Sequence, residues 1–528
     1  MLRTQLYADP AGRFVHDVVL DSCRRNNDKT ALVDTSCDGR FTFAEYGSLV
    51  ESLARGLISA GLAPGEVVAI FLPNSWEFAI TYHAATLAGG IPTLLNPSYR
   101  EREIRYQLEN SGAAFLITDS PLLENVNLAG LPALRRVFIT RSFTTHSGPA
   151  GCEDFASLLR PTSASFPEAG QSPQETIAAL PYSSGTTGLP KGVMLSHYNL
   201  VANVYQLLGT NGTPLTADDA MLCFLPLYHI YGLTVALTLS LALGSKLVLM
   251  PRFDVQKLCA LLIQEDVTMM PVVPPAINAL CQAAEAGVFP KNHKVRWIKS
   301  GAAPLAPELA RRLTNLTGIS VVQGYGMTEA SPVTHVGFVA PPEMNRPASI
   351  GRPLAFTDCR VVDVDGNDVE PGEPGELAMC GPQFMLGYWK EPQATAAVLR
   401  DGWYFSGDIV RCDADGFYYV LDRSKEMIKY KGFPVAPAEV ESVLLEHPAV
   451  RDCGVVAKPD PACGEIPCAF VVLREGFAPS DTLAKQLCDF VADRLAHHKQ
   501  PREVRFVEVV PRTPSGKILR RELRKVLS

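Results

Sequence analysis

Short apolar runs alternate with helical patterns through the first four hundred residues, and this alternation restricts the fold more than any other feature of the chain. Glu66–Leu72 reads as a buried strand, Trp76–Ala88 as a helix stopped by Gly89 and Gly90, and Ala113–Thr118 as a strand again. Lys246–Met250, Val267–Met270 and Val295–Lys299 are further predicted strands, with helices between several of them. Apolar strands joined by helices predict an α/β class, with parallel sheets covered on both faces. The most apolar stretch, Leu233–Met250, is cut short by Lys246. It predicts a buried helix followed by a strand, not a transmembrane segment.

The pattern changes near Gly351. Val361, Val362 and Val364 precede the turn signal Asp365-Gly366, and Glu376–Met379 follows Pro- and Gly-rich loops. Antiparallel strands and turns are expected there, a β-rich subdomain over about 350–421. A charged break, Asp422-Arg-Ser-Lys425, follows the predicted strand Phe417–Leu421. Beyond it, Pro437 suits a first helical turn, and Val440, Val443 and Leu444 form that helix's apolar face. Strands are predicted at Gly454–Val456, Ala469–Leu473 and Arg505–Val510. Between the last two, a helix capped by Ser480 or Asp481 carries Leu483, Leu487, Phe490, Val491 and Leu495 at helical spacing. The expected organisation is a large N-terminal region over 1–421, a break at 422–425 and a small α+β domain over 426–528.

Composition removes several function classes. The chain is 47% hydrophobic, and Lys+Arg 48 against Asp+Glu 55 leaves a net charge of −7. That excludes disorder and offers no polybasic field, so no nucleic acid partner is expected. The 13 Cys are scattered without a CxxC, and neither Cys359/Cys380 nor Cys463/Cys468 has a His cluster beside it. No zinc site is expected, and unpaired thiols suit a reducing compartment. The first residues lack an apolar signal core and the chain ends Val-Leu-Ser without a peroxisomal tripeptide, so a cytoplasmic location is expected.

The strongest local signal is Tyr182-Ser-Ser-Gly-Thr-Thr-Gly-Leu-Pro-Lys-Gly192. Its glycines let backbone N–H groups approach a phosphate, its hydroxyls donate further bonds and its Lys adds a point charge. It is not a Walker A loop, because Gly192 follows the Lys and Gly192–Leu195 predicts a strand where a Walker loop opens a helix. A structural Gly/Ser turn is the bland alternative. Four more segments stand with it: Gln323-Gly-Tyr-Gly-Met-Thr-Glu-Ala330, Trp403-Tyr-Phe-Ser-Gly-Asp408, Asp422-Arg-Ser-Lys-Glu-Met-Ile-Lys-Tyr-Lys-Gly-Phe433 and Pro514-Ser-Gly-Lys-Ile-Leu519. Each alone reads as an ordinary turn or a solvated charge run.

Together, in this order and over nearly the whole chain, they make it resemble the adenylate-forming (ANL) superfamily of acyl-CoA synthetases, aryl-CoA ligases, luciferases and nonribosomal adenylation domains. Ile428–Glu439 looks most like the branch of 4-coumarate–CoA ligases and luciferases. The resemblance implies an ATP- and Mg²⁺-dependent ligase that joins a carboxylic acid to coenzyme A through an acyl-AMP. By it, Ser183, Ser184, Gly185, Thr186, Thr187 and Lys191 cradle phosphate, Thr328 meets the α-phosphate and Glu329 binds the metal. Gln323, Gly324 and Tyr325 lie on the adenine side, with Tyr325 available to stack on the base. Asp408 and Arg423 meet the ribose, with Ser406 where Thr is usual. Lys425 marks a hinge at 422–425 that rotates the C-terminal domain between half-reactions. Lys517 serves adenylation, while Lys429, Lys431 and Gly432 serve thioester formation, with Arg252 on CoA phosphate. Pro434 replaces the Gln that coumarate ligases and luciferases often carry near the adenylate.

The same resemblance places His229 as a gate beside the reacting carbonyl. Tyr231, Gly301, Gly326, Pro332 and Val333 match the ring pocket of coumarate ligases, and the two glycines suggest a flat slot wide enough for a ring. The favoured substrate is a hydroxycinnamate-like aryl acid. A medium- or long-chain fatty acid, an acyl carrier protein as acceptor, and a luciferase-like oxygenase are the alternatives, since apolar pockets discriminate weakly. A non-catalytic nucleotide sensor would need neither Lys517 nor Lys429.

Overall fold

The computed structural model describes residues 7–124, 126–140, 151–167, 172–183, 190–210, 214–423, 426–430, 433–460, 463–495, 497–513 and 516–527. Among these residues the chain builds five sheets, and two of them are the parallel sheets that strand–helix alternation predicts. In the larger, Thr30–Asp34, Lys246–Leu249, Ala220–Cys223, Met269–Val272, Trp297–Ser300 and Ser320–Gly326 run parallel, side by side. Antiparallel strands flank them, Gly39–Thr42 at one edge and Val333–Val336 then Arg352–Pro353 at the other. The smaller sheet joins Ile91–Leu94, Val67–Phe71, Ala113–Asp119, Arg136–Thr140 and Glu153–Asp154, all parallel.

Val67–Phe71 and Ala113–Asp119 are buried along their full length, as strands covered on both faces must be. The helices Trp76–Leu87 and His197–Leu208 are buried on nearly every side, so they lie between layers rather than on the surface. Phe43, Tyr46, Phe78 and Tyr82 are sealed into one core there. Burying a side chain of this size stabilises the fold by roughly 1.5–3 kcal/mol.

The apolar stretch forms helix then strand, as expected, but begins as a π-helix. Tyr231–Thr238 is π, Leu239–Leu243 is α, Gly244 ends it at φ 84°, and Lys246–Leu249 is the strand. No helix among the described residues is long and apolar enough to cross a membrane.

The antiparallel subdomain pairs Asp358–Val362, Gly375–Cys380, Trp403–Cys412 and Tyr418–Arg423. Its last strand runs through Asp422 and Arg423, where the sequence suggests a break. A separate small sheet pairs Lys191–Ser196 with Gly387–Tyr388, Ile177–Ala179 and Tyr182–Ser183, so a strand does follow the Gly- and Ser-rich loop.

Residues beyond 425 have their own core, in which Ile428, Val440, Leu444, Val455, Val471 and Leu487 are fully buried. Its helices are Pro437–Glu446 and Asp481–Ala492, the latter capped by Ser480, whose Oγ accepts from the Leu483 N–H at 3.1 Å. The final strand is Glu503–Phe506, not the longer Arg505–Val510 of the sequence reading. Val507 makes one more bond to the sheet, and the chain then leaves it with Val509 72% exposed, to form the turn that carries Lys517.

Candidate active site

The candidate site gathers at the carboxyl ends of the parallel strands, where open α/β sheets bind ligands. Strand Ser320–Gly326 delivers Gln323, Gly324 and Tyr325, and the turn Thr328–Ala330 that follows it sets Glu329 in a buried position. Oε1 of Glu329 accepts from Ser183 Oγ at 3.1 Å and from Tyr388 OH at 2.8 Å. Oε2 makes no hydrogen bond among the described residues. Two neutral donors orient the carboxylate without cancelling its charge, and the remaining oxygen suits a hard divalent cation.

Lys191 opens the strand whose Val193 lies in register with Tyr388, and the Gly192 carbonyl accepts from the Trp389 N–H at 2.8 Å. This register sets the Lys191 ammonium 5.4 Å from the centre of the Tyr388 ring. Space at Gly192 is tight, because a Cβ would meet Trp389 Cβ at 3.1 Å and the Tyr182 ring at 3.3 Å.

On the nucleoside side, the Tyr325 hydroxyl donates to Oδ2 of buried Asp408. Ser406 Oγ accepts from the Asp408 N–H at 3.1 Å and donates to the Leu377 carbonyl at 2.7 Å, so its hydroxyl fixes the turn that presents the carboxylate. Strand pairing sets the backbone of Arg423 opposite Asp408. The Gln323 side chain braces loops instead of facing a base: Nε2 donates to the Pro347 carbonyl at 2.6 Å and Oε1 accepts from the Leu305 N–H at 3.1 Å.

On the acyl side, His229 Nδ1 accepts from the Tyr231 N–H at 3.2 Å, and burial lowers the ring's pKa to about 4. The imidazole is therefore neutral at pH 7, with its proton on Nε2. Tyr231 donates its hydroxyl to the Lys299 carbonyl at 3.1 Å. Tyr231 and Pro332 crowd the two glycines closely, while Gly326 itself is exposed. A Cβ on Gly301 would lie 3.1 Å from the Tyr231 ring, and one on Gly326 only 1.9 Å from the Pro332 carbonyl oxygen. Both glycines serve close packing. Val333 is pinned through both backbone groups by the amide of Asn203, at 2.7 and 3.1 Å.

Three further groups escaped the sequence reading. Lys299 is 5% exposed, its ammonium makes no ion pair among the described residues, and Trp297 lies 5.4 Å away. Desolvation lowers its pKa to about 8. Tyr388 and Tyr404 are the others, both buried near Glu329. Only burial and spatial neighbourhood reveal these residues, because no motif spacing singles them out.

A cavity of ≈ 620 Å³ lies beside the site. Leu225, Tyr228, Arg252 and Phe253 line it from the large region, and Arg512, Thr513 and Gly516 from the small domain. Arg512, Thr513, Gly516 and Lys517 are tied together by hydrogen bonds. Lys517 N–H donates to Thr513 Oγ1 at 3.0 Å, Arg512 donates to the Gly516 carbonyl at 2.8 Å, and Arg512 pairs with Asp452 at 2.6 Å. A Cβ on Gly516 would sit 3.1 Å from Pro275, so the turn is seated directly on the large region. Lys429, in contrast, is exposed on Ile428–Tyr430, where its N–H donates to Glu465 at 2.8 Å. Ser184, Gly185, Thr186, Thr187, Lys425, Lys431 and Gly432 lie outside the described residues, and Arg423 and Pro434 are described as strand backbone.

Comparison with known proteins identifies the family. The AMP-binding enzyme family matches residues 19–389, and the C-terminal domain of AMP-binding enzymes matches 439–517. The chain belongs to this family. It is 38% identical over 524 residues to 4-coumarate–CoA ligase 5 of Oryza sativa subsp. japonica, spanning 97% of this chain and 94% of the relative. It is 36% identical over 521 residues to 4-coumarate–CoA ligase 1 of Narcissus pseudonarcissus, with the same coverage of 97% and 94%. Among solved structures, the anthranilate CoA ligase AuaEII in complex with anthranoyl-AMP superposes with a TM-score of 0.88 at 28% identity, over 98% of each chain. A benzoate CoA ligase from Burkholderia xenovorans LB400 superposes with a TM-score of 0.86 at 27% identity, over 97% of this chain and 100% of that one.

Proposed function

We propose that the protein is an ATP-dependent acid–CoA ligase acting on hydroxycinnamate-like aryl acids. Two half-reactions share one site. In the first, the substrate carboxylate attacks the α-phosphorus of ATP and expels pyrophosphate. No general base is needed, because a carboxylic acid is already ionised at pH 7. The difficulty is the approach of an anion to a polyanion, so the site must supply positive charge where the pentavalent phosphorus forms.

Lys517 bridges carboxylate and phosphate, Lys191 and the loop at 183–187 hold the outer phosphates, and the Thr328 hydroxyl meets the α-phosphate. Mg²⁺ held by Glu329 would neutralise part of the phosphate charge. Asp408, with Arg423, grips the ribose. In the second half-reaction the C-terminal domain turns about 422–425, bringing Lys429 and Lys431 to the site, and the CoA thiol attacks the acyl carbon and expels AMP. A neutral His229 covers the reacting carbonyl without adding a charge of its own.

The observation that carries this reading is the seating of the Lys517 turn on Pro275, beside Tyr228 and Arg252, while Lys429 stays exposed. That is the arrangement adenylation requires. The choice of an aryl acid rests on likeness to the coumarate ligases over the whole chain, and on Tyr231, Pro332 and Val333 walling the acyl side. The test is pyrophosphate release with cinnamates, benzoates and C6–C18 fatty acids, followed by transfer to CoA or to an acyl carrier protein. Release should require both an acid and Mg²⁺, with 4-hydroxycinnamates and CoA preferred. Equal ATP hydrolysis without any acid would overturn the ligase reading.

A further inference from the structure

Tyr388 touches both charged elements of the phosphate site. Its hydroxyl donates to Oε1 of Glu329 at 2.8 Å, and its ring lies 5.4 Å from the Lys191 ammonium, within cation–π range. Its backbone is fixed twice over, by pairing with Val193 and by donation of its N–H to Thr395 Oγ1 at 2.9 Å. Gly387 before it has φ 147°, and a Cβ there would meet Thr395 Cγ2 at 2.9 Å. Tyr404 lies buried on the strand that also carries Asp408. The carboxylate therefore has one oxygen committed to Tyr388 and Ser183, and a fixed direction for the other.

We infer that Tyr388 is a positioning residue that aims Glu329 at the magnesium of Mg·ATP and, through its ring, holds Lys191 beside the phosphates. This rests on the ligase reading, because it takes the pocket between Glu329 and Lys191 as the site of the ATP phosphates. The hydroxyl and the ring have separable tasks. Tyr388→Phe removes the bond to Glu329 and keeps the ring under Lys191. Tyr388→Leu removes both.

The test is thermal stabilisation of the whole protein by ATP without an acid substrate, titrated with Mg²⁺, so that no turnover enters. Wild type should be stabilised by Mg·ATP. In Y388F the Mg²⁺ concentration giving half of that shift should rise about ten-fold or more, the loss expected for one hydrogen bond to a charged group. Stabilisation of Y388F by AMP without metal should match wild type. Y388L should in addition bind ATP more weakly at saturating Mg²⁺. A second readout is chemical: Y388F should need more Mg²⁺ for pyrophosphate exchange, yet convert supplied acyl-adenylate to thioester at the wild-type rate.

An unchanged Mg²⁺ midpoint in Y388F would overturn the positioning role and leave the ligase reading standing. Loss of AMP and Mg·ATP binding in equal measure would also overturn it, by making Tyr388 merely structural. No stabilisation of wild type by Mg·ATP would overturn the ligase reading and this inference together. Should Y388L fail to fold, Y388F still decides the case, since it keeps the ring and removes a single oxygen.

Discussion

The Tyr325 hydroxyl donates to Oδ2 of Asp408 across 83 residues of sequence, tying the last parallel strand of the large sheet to the antiparallel subdomain. In the proposed reading the same carboxylate accepts from a ribose hydroxyl. Removing the carboxylate takes away a charge-assisted acceptor, worth about 1.5–3 kcal/mol. Asp408→Ala should therefore weaken AMP and ATP binding about 10- to 100-fold. Tyr325→Phe keeps the carboxylate and loosens its aim, so a smaller loss, about three- to ten-fold, is expected. Equilibrium titration of AMP against the three proteins measures both; equal losses in the two variants would remove the distinction between contact and aim.

Lys517 and Lys429 belong to different half-reactions in the proposed cycle. Lys517→Ala should reduce pyrophosphate exchange by about 10²–10³-fold or more, the range for losing a preorganised donor to a developing anion. It should leave thioester formation from supplied acyl-adenylate largely intact. Lys429→Ala should do the reverse. Single-turnover assays of each half-reaction check this, and parallel loss of both activities in each variant would mean that one domain arrangement serves both steps.

How far the sequence reached depends on which forces set each feature. The parallel sheets were legible because runs such as Val67–Phe71 are apolar on both faces, and helix limits such as Ser480 announce themselves through capping chemistry. The carboxylates Glu329 and Asp408 were legible from their flanking glycines and hydroxyls. The roles of Gly301 and Gly326 were not, because a missing Cβ looks alike whether it makes room for a ligand or for Tyr231 and Pro332. Lys299 and Tyr388 were hidden for a related reason. Their importance comes from neighbours that are distant in the chain, and no local pattern encodes that.

Lys299 gives a pH signature. Its ammonium is buried without an ion pair among the described residues, and its pKa is lowered to about 8. Lysine in an unfolded chain titrates near about 10.4. Between those values the unfolded chain binds the extra proton, so stability rises with pH across that window. The penalty of burying the charge is fully present below pH 8, at about 3 kcal/mol. Lys299→Met should raise the urea midpoint at pH 7 and abolish the rise toward pH 10. If the amine also receives the ring hydroxyl of an aryl acid, the same variant should lower kcat/KM for 4-coumarate relative to cinnamate by about ten-fold. An unmoved ratio would assign Lys299 to packing alone.

Acid sensitivity should come from buried imidazoles, and three of them lie close together. His16, His83 and His197 sit on three helices of the large region. The Val15 N–H donates to His197 Nδ1 at 3.1 Å, His83 Nδ1 meets the Tyr46 hydroxyl at 2.8 Å, and the rings of His16 and His197 lie 5.5 Å apart, edge to face. Among the described residues, His16 Nδ1 and His83 Nε2 have no hydrogen-bond partner. Burial lowers the pKa of His16 to about 4 and of His83 to about 3, and depresses His197 as well; a charge on His16 further opposes protonation of the other two, and only Asp17 pulls His16 the other way. Because these bases titrate lower in the folded chain than in the unfolded one, the stability they permit is complete above about pH 6.5 and is lost as pH falls toward 4. By pH 5 the loss is about 2 kcal/mol per ring. His83→Gln keeps a donor for Tyr46 and removes one titrating ring. His229 and His335 are buried with lowered pKa as well, so the variant's melting temperature should fall less steeply than wild type between pH 6.5 and 5, by about a fifth of the slope if the five rings contribute alike. Identical slopes would place the acid-labile groups elsewhere.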